Sequence, residues 1–197
     1  MQEFLIKAKL KANYMFAIGT YGNMPSVAMY RLQNIERKKG FSFDYLNQIL
    51  MVDNFLPVFD IDKQIEKIPQ KKIDEKLLKI KDDIVNRKKR EAHVSFGDIE
   101  LTGTLSAIGR LIYNGKEAQK YIVNDDCIKC GICAKVCPAA NVIVEEKVVF
   151  KSSCEQCEAC LHMCPKNAIH MKNEKNKARW RNPEVTLNDI IESNNQM

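Results

Sequence analysis

The chain has 197 residues, 45% of them apolar, with a formal charge of +6 and eight cysteines. That length suits one moderate domain or two small ones with a packed core. Cysteine is too sparse for a disulfide scaffold, and no apolar run approaches the ~18 residues of a membrane span, so neither class is expected.

The first nine residues hold no long apolar core and no small-residue cleavage signal, which argues against a secretory peptide and for a cytoplasmic setting. Phe4, Leu5, Ala8 and Leu10 are spaced as one face near the end of a helix. Residues 14–18 form a continuous apolar run and predict a buried strand, with residues 19–23 as the loop after it. Pro25 and Ser26 suit the first turn of a helix through Val27, Ala28, Tyr30, Leu32 and Ile35, which Lys39-Gly40 ends. Residues 41–51 predict a second strand, followed by a loop over 52–57 that turns at Asp53-Asn54. Strand, helix, strand is a parallel α/β unit. One such unit alone leaves two exposed edges, so further strands from a second copy or a companion chain are expected to cover them.

After residue 60 the composition shifts. Pro69 interrupts, then Ile73, Leu77, Ile80 and Ile84 recur at helical spacing, and residues 63–91 hold 11 Lys/Arg against 6 Asp/Glu. This is the pattern of an amphipathic helix with a solvated face; a docking surface for an acidic partner is the alternative. Nucleic acid is not expected, because no aromatic residues interleave with the charges. Gly97, Gly103 and Gly109 punctuate the next segment, and Leu105, Ile108, Leu111 and Ile112 predict a short helix.

The cysteines follow in two copies of one pattern: Cys127, Cys130, Cys133 and Cys137 before Pro138, then Cys154, Cys157, Cys160 and Cys164 before Pro165. Each copy has the Cys-x2-Cys-x2-Cys-x3-Cys-Pro spacing of bacterial [4Fe–4S] binding, in which the fourth cysteine ligates the other cluster. Iron in a cubane needs soft anionic ligands, and thiolates supply them. The proline biases the fourth cysteine toward extended geometry and away from its own run. One cluster is then expected on Cys127, Cys130, Cys133 and Cys164, the other on Cys154, Cys157, Cys160 and Cys137. Zinc is the weaker reading, since a structural zinc site needs only four ligands. Residues 142–144 and 148–150 predict a hairpin, residues 168–171 a closing strand, and the two halves an internal repeat. The tail is basic, with five Lys/Arg and one Glu over 172–181.

Eight thiolates and two doubly positive cores reduce the formal charge from +6 to about +2, which further weakens a nucleic-acid reading. Small, exposed cluster sites favour low reduction potentials. Lys129 and Lys135 would ease reduction slightly if they face the first cluster; as ordinary surface lysines they would not. His162, inside the second run, finds both ligand sets already filled and is expected to be packed or on the surface. His93 and His170 carry no ligand pattern either. Trp180, between Arg179 and Arg181, is expected to anchor the tail.

The carboxyl half resembles bacterial two-cluster ferredoxins over residues 121–171. More broadly, residues 17–23, 51–57 and 179–187 resemble recurring segments of a family that fuses a flavodoxin-like domain to such a ferredoxin. The resemblance implies an α+β chain: a partial flavodoxin-like α/β segment over 1–60, a basic helical linker over 61–118, the two-cluster ferredoxin domain over 119–171 and a basic tail over 172–197. It also implies flavin mononucleotide (FMN) at the carboxyl ends of the strands, near Thr20, Tyr21, Gly22 and Asn23. The family's Ser/Thr-rich phosphate loop has no match before Tyr14, which counts against flavin binding by this chain alone and leaves a plain strand-to-helix turn as the other reading.

The function expected is one-electron transfer to or from a redox protein or flavoprotein, which needs no enzymatic step. The alternatives are an electron-input subunit of a flavin-dependent oxidoreductase and an iron–sulfur regulator that binds nucleic acid. No Ser/His/Asp or paired-carboxylate pattern suggests hydrolysis.

Overall fold

The computed structural model describes residues 5, 7, 10–23, 27–39, 41–112 and 117–194. The helical face at Phe4 and Ala8, the helix start at Pro25 and Ser26 and the stop at Gly40 lie outside them. The chain divides into two units, residues 1–53 with 65–108 and residues 54–64 with 109–197.

In the first unit, β1 (Phe16–Tyr21) pairs in parallel with β2 (Tyr45–Leu50), with α1 (Ala28–Lys39) between them in sequence. This is the parallel α/β unit expected. β1 runs later than predicted, however, through Gly19, Thr20 and Tyr21, and it is half-buried to exposed rather than buried. The register explains the shift: those residues lie opposite Gln48, Ile49 and Leu50, so the ladder continues as far as β2 does. Gly19 is therefore no turn residue. A Cβ there would meet Met29 Cε at 3.0 Å, so the glycine lets α1 approach the strand closely.

The basic segment forms α2 (Ile61–Glu66), α3 (Ile68–Lys71) and α4 (Ile73–Val85). Pro69 sits in the first turn of α3, where its missing N–H costs no helical bond, and left-handed Lys72 (φ 48°) separates α3 from α4. Ile80 of α4 is buried with Tyr45 and Ile49 of β2, and Ile73 and Ile84 pack alongside. Leu77 and Leu78 stay exposed. Two strands span only about 10 Å, too narrow to cover the whole apolar stripe of a helix. Beneath α4 lies a polar network. Tyr45 Oη donates to Asp83 Oδ2 (3.1 Å), and Lys88 Nζ donates to Asp83 Oδ1 (2.6 Å).

α5 (Phe96–Ile112) is longer than the short helix predicted. Ser95 Oγ accepts from Asp98 N–H (3.1 Å), and Asp98 Oδ2 accepts from Ser95 N–H (3.1 Å). This reciprocal cap starts the helix well before Leu105 and carries it through Gly97 and Gly103.

The second unit holds the cysteines. A 3-10 turn (Glu117–Lys120) leads into β3 (Tyr121–Val123), which pairs antiparallel with β6 (Ile169–Met171). β4 (Val142–Val144) and β5 (Val148–Phe150) form the predicted hairpin. Two single-turn helices, α6 (Ile132–Lys135) and α7 (Ala159–His162), sit inside the two cysteine runs. The core joins both halves: Val136, Val142, Leu161, Ile169 and Met171 are buried together with Leu56 and Ile61. Leu56 and Ile61 belong to this unit because residues 54–64 dock on it. Leu56 N–H donates to Glu158 Oε2 (3.1 Å), and Lys175 N–H to Leu56 O (3.0 Å).

The tail also packs here. Trp180 is half-buried against the core, as are Leu187, Ile190 and Ile191 of α8 (Leu187–Ser193). The tail thus carries a helix that a reading of charge alone does not find.

Candidate metal centre

The backbone repeats as the sequence does. Lys129, Gly131 and Ala140 in the first half have positive φ, and so do Gln156, Glu158 and Asn167, each 27 positions later. Five of these six are not glycine, and such residues accept the left-handed region only where the surroundings impose it. Left-handed residues inside turns aim successive backbone N–H groups into a concavity, an arrangement common at iron–sulfur sites.

Two cavities lie at these turns. The first is lined by Cys127, Cys130, Cys133 and Cys164. The second is lined by Cys154, Cys157, Cys160 and Cys137. Each brings together three cysteines of one run and the last cysteine of the other. Among the described residues, no group of three or more His, Cys, Asp or Glu side chains gathers closely enough to hold a single metal ion.

Backbone donors point at the sulfurs in matching places. Asn141 N–H donates to Cys137 Sγ (3.2 Å) and Ala168 N–H to Cys164 Sγ (3.3 Å), each four residues beyond its acceptor. Gln156 N–H donates to Cys154 Sγ (3.4 Å). Burial pushes the Cys133 thiol up to about 11, raised further by Cys130 and Cys127 and opposed by the Ala134 N–H. Burial also raises Cys160, with Cys157, Cys137 and Cys154 adding to it. Thiolates crowded in this way need positive charge to be stable. Four soft donors to each cavity, apolar walls and N–H groups aimed at sulfur fit an iron–sulfur cubane, which would supply a one-electron couple.

His162 is buried and lines neither cavity. Trp180 N–H donates to its Nδ1 (3.2 Å), and Nε2 lies 2.9 Å from Asn54 O. These bonds assign the ring proton to Nε2, so His162 holds the tail and the 54–64 segment. His170 Nδ1 lies 2.8 Å from Glu174 Oε1, and Glu174 pairs with buried Arg179 (3.2 Å). His93 is exposed in the first unit. Lys129 and Lys135 are both exposed, and Lys129 lines the first cavity.

Glu158 was not singled out by sequence. It is 2% exposed, lines the second cavity, and its Oε1 has no hydrogen-bond partner. A glutamate between two cysteines reads as a surface loop residue; the packing of residues 54–56, a hundred positions away, buries it.

The strand ends where the resemblance places flavin are filled. Buried Lys71 Nζ donates to Met51 O (2.5 Å) and Gly22 O (3.4 Å), and Asp53 packs so closely that a Cβ on Gly22 would sit 2.5 Å from it. Burial lowers the Lys71 pKa, and Asp53 opposes the shift. A flavin ring between Tyr21 and residues 51–53 would have to displace Lys71 and Asp53, so these residues do not fit flavin.

Residues 119–165 match the 4Fe-4S dicluster domain family, a ferredoxin-type domain. The chain therefore contains a ferredoxin-like dicluster region within a mixed α/β architecture. No curated protein and no solved structure matches the chain. Among the described residues, no helix is long and apolar enough to cross a membrane.

Proposed function

We propose that the carboxyl-terminal module carries single electrons on two [4Fe–4S] clusters between one-electron redox proteins, a flavoprotein among them. Cys127, Cys130, Cys133 and Cys164 hold one cluster; Cys154, Cys157, Cys160 and Cys137 hold the other. The observation that carries this reading is the division of the eight thiols between two cavities, with one cysteine of each run crossing to the other. The core shared by the two halves supports this reading, because a common core suits transfer with little rearrangement. Eight cysteines in ligand spacing rather than in bridges suit a reducing, cytoplasmic setting.

The test removes one thiol. Cys133→Ala leaves one iron of the first cluster without a protein ligand, so iron content should fall and a three-iron or missing signal should appear by electron paramagnetic resonance. An unchanged spectrum and stoichiometry would refute the ligand assignment.

A further inference from the structure

One buried asparagine separates the two halves of the repeat. Asn141 and Ala168 occupy equivalent positions beyond Cys137 and Cys164, and each is 1% exposed. Their backbones make the same bonds. Each N–H donates to its cysteine sulfur, at 3.2 Å and 3.3 Å. Each carbonyl accepts from an equivalent amide, Lys151 N–H for Asn141 (2.8 Å) and Asn124 N–H for Ala168 (2.9 Å). The side chain is the difference.

Asn141 Oδ1 accepts from Ser153 N–H (2.7 Å), the amide immediately before Cys154. One residue therefore holds Cys137 through its backbone and the start of the second run through its side chain. It also lines the cavity that Cys137 and Cys154 share. Alanine at 168 has no side-chain acceptor to offer. The amide equivalent to that of Ser153 belongs to Asp126, and it donates instead to Asn124 Oδ1 (3.2 Å), two residues upstream. That bond closes a local turn at an exposed residue, where water can replace it, and it does not reach across to Cys164.

We propose that Asn141 is a positioning residue for the Cys154/Cys157/Cys160/Cys137 site, where it presets Cys137 against Cys154 so that this site holds its cluster more tightly than the other. The inference rests on the electron-carrier reading above. Cys137 and Cys154 come from different runs, and the hairpin between them leaves their separation to be fixed by contacts. A tie across the site fixes it, whereas a turn within one run does not. Groups that orient a metal's ligands without touching the metal raise its retention about tenfold or more.

The experiment follows iron release from the full chain, loaded without oxygen and then challenged with EDTA, with each centre assigned through paramagnetically shifted cysteine β-proton resonances. In the parent, the Cys127 set should empty first. Asn141→Ala puts into the second half the residue that the first half already carries. It should release iron from the Cys154 set about tenfold faster while the Cys127 set keeps its rate. The β-protons of Cys137 and Cys154 should shift, and those of Cys127 and Cys164 should stay. Asn141→Asp retains an oxygen acceptor of the same reach and should release iron at close to the parent rate, as should Asn124→Ala in the first half. Equal release from both centres of the parent, or an Asn141→Ala chain that loses both clusters faster or neither, would overturn the positioning role and leave the carrier reading intact. So would an Asn141→Asp chain that behaves as the alanine variant does. A chain that binds no iron and sulfide would overturn both.

Discussion

Asp83 shows how one side chain gives a measurable pH signature. Its carboxyl is held below the usual carboxylate range, first by the hydrogen bond from Lys88 and then by the bond from Tyr45, against the opposing effect of burial. A depressed folded pKa adds stability that is fully present above the unfolded value of about 4 and is lost as the pH falls through the folded value. Asp83→Asn should lower amide-exchange protection across Tyr45–Leu50 near pH 7, and the gap from the parent should close as the pH falls below about 4. An equal gap at all pH values would show that charge is not the cause. At this scale the eight cysteines were legible, because spacing alone encodes their chemistry. Glu158 was not, because the atoms that bury it come from a segment about a hundred positions earlier.

Elements set by local signals were the easiest to read. The β4–β5 hairpin was found because two apolar triplets flank a short polar turn. α4 was found from isoleucines at helical spacing, although two strands cover only part of its stripe. β1 was misplaced because Gly19 has the character of a turn residue, whereas its role is to admit Met29. α8 was missed, yet its signal was present. Thr186 Oγ1 accepts from Asp189 N–H, and Asp189 Oδ2 accepts from Thr186 N–H, a reciprocal cap visible as Thr-x-x-Asp. Thr186→Ala should cost about 1 kcal/mol. It should also loosen Leu187, Ile190 and Ile191 from the core, read as faster proteolysis of the tail with the cysteine module intact. Unchanged proteolysis would mean that the apolar contacts alone hold α8 in place.

At the scale of the whole chain, the two units are unequally understood. The second has a repeat in sequence, backbone and hydrogen bonding that points to one chemistry, and 54–64 and the tail are built onto it. That extension was illegible in sequence because it depends on single contacts across long separations, such as Asn176 Nδ2 with Asp60 Oδ1 (2.8 Å). The first unit has the expected strand–helix–strand order, but Lys71 and Asp53 close the crevice where a ligand was anticipated. The most direct test of the central claim is cofactor analysis of the full chain purified without oxygen. The account predicts iron and acid-labile sulfide in equal amounts, two cubanes per chain, with visible absorbance that bleaches on one-electron reduction. A folded chain that carries zinc, or iron for a single cluster, would contradict it.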